Sequence, residues 1–359
     1  MIKIAVVGGG WRAEFYLKLA KSMPDRFQLV GIVVRNSDTA AKLSAKYQTK
    51  SYASVQDLLR HEKPDYVVSS VSWISNPGIL EELVAAKIHV LSETPPAPDT
   101  DALRKLWANV GASNLVQVAE QYLLLPGHAS RMHVVKSGAI GTATSVEVSS
   151  THGYHAISMM RGFLASGYGR AKVSAQQFEA PLVNPLLRDS WNHDLSEKNA
   201  KTTIAMIDFG DHGSGIYNFV DNQWHNQLRH RRIVIRGSKG EIVDDTVIRL
   251  VDSPAIVTSR LERYQLGYDL NLDGYDTEHI SFDGNVIYKN PFIGHRFMDE
   301  EIAIATMMVR MGDWSTGSAD APYPLQEACQ DHLISLAMDQ SIATGESVCT
   351  AVEAWSDTL

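Results

Sequence analysis

The sequence predicts an α/β chain in which a doubly wound parallel sheet is followed by an α+β domain with an open, largely antiparallel sheet. Three observations predict it. An apolar, β-branched run from Ile2 to Val7 stops at three consecutive glycines and gives way to a helical pattern. Strand and helix patterns then alternate as far as Ala119. Beyond Tyr122 the alternation ends, strands dominate from Thr144 to about Tyr288, and two long helices close the chain.

The opening turn carries the most chemistry. Gly8, Gly10 and Ala13 fit G-x-G-x-x-G/A, in which the first glycine permits the tight turn and the second lets the backbone approach a pyrophosphate. The third small residue lets helix and strand pack closely. Trp11 and Arg12 lie within the same turn, and the free N–H groups of the following helix would face the phosphates. This is the signature of a Rossmann dinucleotide site.

The remaining elements of this first unit follow in order. Helix is expected from Arg12 to about Lys21, strand from Phe27 to Val34, helix from Asp38 to Tyr47, and a short helix from Ser54 to His61 capped by Ser54. Strands at Asp65–Val71, Ile88–Leu91 and Leu115–Ala119 alternate with helices at Pro77–Ala86 and Asp99–Val110. We place the domain boundary after Gln121, giving a dinucleotide-binding unit of residues 1–121 and a substrate-binding and oligomerisation unit of residues 122–359. In the second unit, a helix at His128–Lys136 ends at Ser137-Gly138, and the closing helices are His295–Met311 and Leu325 to about Thr344, stopped by Gly345. The stretch from Ser166 to Lys201 has weak periodicity and reads as a lid or insertion.

Composition excludes several classes. The 359 residues are 44% hydrophobic and 21% charged, which suits a globular protein with two cores. A net charge of -8 with scattered Lys and Arg argues against a nucleic-acid face. No stretch approaches the roughly 20 apolar residues of a bilayer span, and the N-terminus reads as strand and not as a leader, so neither membrane binding nor export is expected and the protein is predicted to be cytoplasmic. The two cysteines, Cys329 and Cys349, form no framework and read as buried thiols in a reducing compartment.

By these landmarks the chain resembles the glucose-fructose oxidoreductase and inositol dehydrogenase family, Gfo/Idh/MocA. They are Gly8-Gly-Gly-Trp-Arg-Ala13, Asp65-Tyr-Val-Val-Ser-Ser-Val71 and Ile88-His-Val-Leu-Ser-Glu-Thr-Pro95, then Ser137-Gly-Ala-Ile-Gly141, Arg236-Gly-Ser-Lys-Gly-Glu241, Tyr323-Pro-Leu-Gln-Glu-Ala328 and Thr344-Gly-Glu-Ser-Val348. The resemblance implies an NAD(P)-dependent oxidoreductase acting on a sugar, cyclitol or related polyhydroxylated compound. It also implies a homodimer or homotetramer assembled through the open face of the second sheet.

Departures from the family pattern define the candidate site. Glu93-Thr94-Pro95 stands where the family carries Glu-Lys-Pro, so the lysine that handles the alcohol proton is replaced by Thr94. Glu93 and Pro95 are expected beside the nicotinamide, Pro95 through a cis peptide. The segment from Ser150 to Arg161 resembles D-x-x-x-H-x-x-D and places His155 on the catalytic histidine, with Thr151 and Ser158 where acids are often found. His155 is the candidate general acid/base, and Tyr154 or His152 the candidate to replace the lysine. Ligands bind beyond the carboxyl ends of strands in open α/β sheets, which puts Glu120 and Gln121 in the crevice for polyol recognition and points Trp73 and Asn76 at the cofactor. At the end of the second strand, Val34 holds the position of the usual ribose-binding acid, with Arg35 and Asn36 beside it, which tilts the expectation slightly to NADP.

Other features take structural readings. His152 with His155, and His212, His225 and His230, lack a completing carboxylate or cysteine, so no metal is expected. Met159-Met160 and Met307-Met308 read as core, and adjacent Asp331-His332 point about 100° apart on a helix. Two alternatives to a net oxidoreductase stay open: a glycoside-cleaving enzyme that recycles its NAD(P), and a catalytically silent nucleotide-binding sensor.

Overall fold

The structure is a computed structural model describing residues 1–187, 190–252, 254–267 and 276–357. The first unit runs β1 Ile2–Val7, α1 Trp11–Ser22, β2 Phe27–Val33, α2 Ser37–Tyr47, β3 Ser51–Tyr52, α3 Val55–His61, β4 Tyr66–Ser69, α4 Asn76–Ala85, β5 His89–Ser92, α5 Thr100–Val110 and β6 Val116–Val118. Its six strands are all parallel in the order β3-β2-β1-β4-β5-β6, reversing direction of winding at β1. Asn36, Ser54 and Asp99 cap α2, α3 and α5 by accepting the N–H three residues on. The central strands are buried on both faces, which is why they read as unbroken apolar runs.

The second unit begins with α6 Pro126–Lys136, β7 Ala143–Ser149, α7 Gly153–Leu164, β8 Lys172–Leu182, β9 Lys198–Asp208 and β10 Ser214–Val220. It continues with β11 Arg232–Gly237, β12 Gly240–Val243, β13 Thr246–Val251, β14 Ala255–Arg260, β15 Glu262–Gln265, β16 Thr277–Phe282 and β17 Asn285–Lys289, and closes with α8 Asp299–Ser315, α9 Leu325–Thr344 and β18 Val348–Cys349. Nine strands form one open sheet, β14-β13-β12-β11-β7-β10-β9-β8-β18, antiparallel except where β10 meets β7. β15, β16 and β17 make a separate antiparallel sheet. One face of the large sheet, with Val146, Val148, Val173, Ala205, Ile207 and Ile235, packs on α7 and α9. The other face leaves Phe178, Ile204, Met206, Ile248, Leu250 and Ile256 exposed.

Three expectations change. Part of the stretch from Ser166 to Lys201 is not a lid or insertion: it holds all of β8 and the start of β9, two strands that pair through eleven residues each, and the alternation of β8 is lost because every residue from Gln176 to Pro181 is exposed. Residues 188 and 189 of that stretch, and residues 253 and 268–275 of the long strand run, lie outside the described residues. The helix expected from His295 starts at Asp299, since three acids there favour the positive end of the helix dipole. Cys329 is buried as expected, with burial pushing its thiol up, but Cys349 is exposed on an edge strand.

The chain's last helices return to the first unit. α8 lays Ile302, Ala305 and Met308 against Ile4, Val6 and Val68, and the Tyr66 hydroxyl donates to the Met308 carbonyl at 3.1 Å. α9 sets Leu325, Ala328 and Cys329 against Val116 and Val118, and Ile334, Ala337 and Met338 against the large sheet. Both methionine pairs are core. This shared packing holds α7 opposite the carboxyl ends of the parallel strands. Among the described residues, no helix is long and apolar enough to cross a membrane.

Candidate active site

A cavity of about 1380 Å³ runs from the glycine turn along the carboxyl ends of β1, β2 and β4 to the start of α7. Its floor depends on Gly8. At φ +129° a side chain is strained, and a Cβ there would stand 2.0 Å from the Ser70 carbonyl oxygen, so only glycine lets β1 and the turn after β4 meet. Gly10 precedes α1 with no side-chain cap, and Gly10, Trp11 and Arg12 line the cavity where that helix begins, with open space where a Gly10 Cβ would be. Ala13 is wholly buried, its methyl in van der Waals reach of the Gly8 position. An uncapped helix end of this shape fits a pyrophosphate.

At the mouth near β2, Arg35, Asn36, Thr39 and Ser54 line the wall. Val34 is the only residue at the usual acid position, and Arg35 is exposed. Asn36 lines the cavity, yet its Oδ1 accepts the Thr39 N–H at 2.9 Å, which commits it to capping α2. Trp11 and Trp73 line the cavity and are more than half exposed.

Arg12 leaves the turn toward the other end. Its Nε donates to Glu93 at 2.8 Å and its Nη1 to Glu300 of α8 at 2.9 Å, while Nη2 donates to the Gln121 carbonyl oxygen at 2.9 Å when that amide is oriented to donate to Ala119. Burial alone would lower the guanidinium pKa; Glu93, Tyr16 and Glu300 more than offset it and raise it. Glu93 also accepts the Tyr16 hydroxyl and the Thr94 N–H, so both its oxygens are spoken for. Thr94 lines the cavity and joins Pro95 through the cis peptide that the motif suggests.

Opposite Thr94 stands the start of α7. His155 lines the cavity; its Nδ1 is hydrogen-bonded to Glu120 Oε2 at 2.6 Å, and its ring stacks on Tyr122 with centroids 4.4 Å apart at 30°. His152, the residue before α7, lines the cavity with its ring edge-on to Phe219. Burial, and then its neighbour His155, lowers the His152 pKa, which keeps this imidazole neutral. Such a site holds two imidazoles, a threonine hydroxyl and an amide around a space beside the cofactor cleft, which suits moving a proton to or from a substrate oxygen.

Four expected site residues are placed elsewhere. Asn76 does not face the cofactor: it is buried, accepting from Ser69 at 2.7 Å and donating to Ser92 at 2.8 Å and to the Pro96 carbonyl at 3.1 Å, which ties β4 to β5. Pro95 is buried behind Thr94 and outside the cavity wall. Tyr154 lies on the first turn of α7 and turns inward; its hydroxyl is buried with no partner among the described residues, and burial pushes its pKa well up, so it does not stand in the cavity in place of the lysine. Glu120 is not in the crevice. Its side chain is wholly buried behind His155. Phe15, Tyr122, Trp224, Met298 and Glu300 complete the wall and were not among the expected residues. Glu300 comes 288 positions after Arg12, beyond any local signal. Ser158 donates to the His155 carbonyl instead of reaching the site. Asp331 and His332 diverge as expected, Asp331 pairing with Arg161 at 2.6 Å. No group of three His, Cys, Asp or Glu among the described residues is arranged to hold a metal.

Residues 2–120 match the model of the Gfo/Idh/MocA family, described as an oxidoreductase family with an NAD-binding Rossmann fold. No curated protein matches the chain in sequence. Among solved structures the chain resembles an oxidoreductase from Agrobacterium radiobacter in complex with NAD+, L-tartaric acid and magnesium, at 14% identity and TM-score 0.70 over 97% of this chain and 98% of that one. It resembles levoglucosan dehydrogenase in complex with NADH and levoglucosan, at 17% identity and TM-score 0.69 over 97% and 99%. A third is the WlbA dehydrogenase from Bordetella pertussis with NADH and UDP-GlcNAcA, at 16% identity and TM-score 0.66 over 98% and 99%. At such identities the likeness is one of fold, and it extends across both units.

Proposed function

From the premise that residues 2–120 belong to the Gfo/Idh/MocA oxidoreductase family, we propose that the chain oxidises or reduces a sugar, cyclitol or related polyhydroxylated substrate with NAD(P). One observation carries the reading: a single cavity connects the uncapped helix behind Gly10 to His155 and Thr94. The nicotinamide, when bound, supplies the two-electron hydride chemistry. The chain's own part is to hold the phosphates at the α1 N-terminus, place the substrate between Thr94, Gln121, His152 and His155, and move its hydroxyl proton at His155 Nε2.

The test is titration of purified protein with NAD(H) and NADP(H), followed by a panel of myo-inositol, D-glucose and levoglucosan read at 340 nm. Binding with turnover supports the proposal, and absence of binding overturns it. Binding without net redox change moves weight to a recycled cofactor, which the threonine at position 94 favours, or to a sensor.

For the cofactor we propose NADP over NAD, because Arg35 is exposed at the ribose end and no carboxylate occupies position 34. Arg35→Ala is expected to weaken NADP(H) roughly tenfold or more and leave NAD(H) unaffected, since a charge-assisted bond is worth about 1.5–3 kcal/mol. Tighter binding of NAD than NADP by the unaltered chain sinks the preference. We also propose that a second copy of the chain covers the exposed apolar face of the large sheet, whose outward residues on β8, β9, β13 and β14 form apolar patches of the kind that mark association sites. Light scattering at micromolar concentration should give a dimer or tetramer mass; a monomer overturns it.

A further inference from the structure

We propose that Glu120 is the positioning residue that sets the tautomer of His155, leaving Nε2 as the proton acceptor in the cavity; this rests on the oxidoreductase reading above. Glu120 follows β6, and its side chain is wholly buried. Among the described residues each oxygen has one partner: Oε1 accepts the Tyr122 backbone N–H at 3.1 Å, and Oε2 is 2.6 Å from His155 Nδ1, which donates to it when the proton is on Nδ1. Among the described residues no lysine or arginine bonds to it, so the group beside it that can carry a positive charge is the imidazole. A buried carboxylate without a cation is costly, and an imidazolium at Nδ1 relieves that cost. Tyr122 stacked on one face and Tyr154 edge-on at 5.4 Å hold the ring in place.

The geometry answers a gap in the site. Thr94 cannot take a proton at neutral pH, and the carboxylates of Glu93 and Glu300 are tied to Arg12. The other titratable neighbours do not compete with His155: burial lowers His152, pushes Tyr122 up to about 12 and raises Tyr154 well above its ordinary value. On the α9 side, Asp331 and Tyr323 bond to each other, and Asp331 also to Arg161. In oxidation the substrate's hydroxyl proton would pass to Nε2 as the carbonyl forms, and a bound oxidised nicotinamide would supply the acceptor for the carbon-bound hydrogen and its electron pair. The charge arriving on the imidazole already faces Glu120. Reduction runs the same transfers in reverse.

Glu120→Gln tests this with little change of shape. The Tyr122 N–H needs an acceptor, which turns the introduced amide's oxygen to Tyr122 and its NH2 to Nδ1. His155 must then carry its proton on Nε2, and the acceptor is lost. Long-range 15N spectra of histidine-labelled protein, with His155 assigned from His155→Gln, should show an Nδ1–H tautomer in the unaltered chain and an Nε2–H tautomer in Glu120→Gln. Turnover of the best panel substrate should fall by roughly 10²–10⁴ through kcat, with KM and cofactor Kd unchanged. Glu120→Asp should keep the tautomer of the unaltered chain. The same tautomer in the unaltered chain and Glu120→Gln, or an unaltered kcat, overturns the proposal. Failure of the oxidoreductase reading shows separately, as an unaltered chain that binds no cofactor.

Discussion

Replacing His155 with alanine is expected to lower kcat by roughly 10²–10⁴ while the cofactor Kd stays as it was. The two effects separate because the residues are on different walls. The glycine turn and the α1 N-terminus belong to the first unit, whereas His155 is on α7, held from behind by Glu120 and beside Tyr122. Removing the ring also strands the Glu120 carboxylate, so a stability loss of about 1–3 kcal/mol should accompany the kinetic loss. His155→Gln separates the two contributions, because it keeps a donor near Glu120 and cannot cycle a proton. The measurement is steady-state turnover beside calorimetric titration of cofactor. Turnover equal to that of the unaltered chain would remove His155 from the chemistry.

Arg161→Met should cost about 3–5 kcal/mol of stability, because it breaks a buried ion pair from one side. Arg161 on α7 donates to Asp331 at 2.6 Å, to Glu327 at 2.8 Å and to the Gly167 carbonyl at 2.8 Å. It pins the helix that carries His155 to α9. Burial pushes the Asp331 carboxyl up to about 7 even against the pull of Arg161. Its folded pKa therefore lies above the unfolded value of about 3.9, so its contribution is fully present below that value and is lost as pH rises through the folded one. Without Arg161 the carboxyl is pushed higher still, and the penalty should be smaller at pH 5 than at pH 8. Urea denaturation at the two pH values checks both size and sign, and adding Asp331→Leu should recover most of the loss. A single-variant loss under 1 kcal/mol at pH 8 would contradict the buried-pair account.

Local pattern carried much of this molecule. The apolar runs of β1, β2, β4 and β5 and the glycine turn are legible because a strand buried on both faces is largely apolar, and because Gly8, at positive φ against the Ser70 carbonyl, admits no side chain. Ser54 and Asp99 were legible as helix starts, since a cap acts within three residues. His155 could be singled out by its neighbours in the chain. β8 could not, since from Gln176 to Pro181 it is exposed on both faces and shows neither an apolar run nor an alternation.

Sequence alone determined the class of the fold, the place of the cofactor turn and the histidine segment, all set by interactions a few residues long. Only the tertiary structure decided which side chains at those places face the cavity. Asn76 and Tyr154 sit where the pattern puts them and turn inward; Glu120 sits at the strand end and turns behind His155; Glu300 arrives from a helix at the far end of the chain. The physical reason is rotational. One residue along a helix swings a side chain through about 100°, and at a strand end the next residue faces the opposite way, so direction is fixed by packing between distant elements and not by spacing within one.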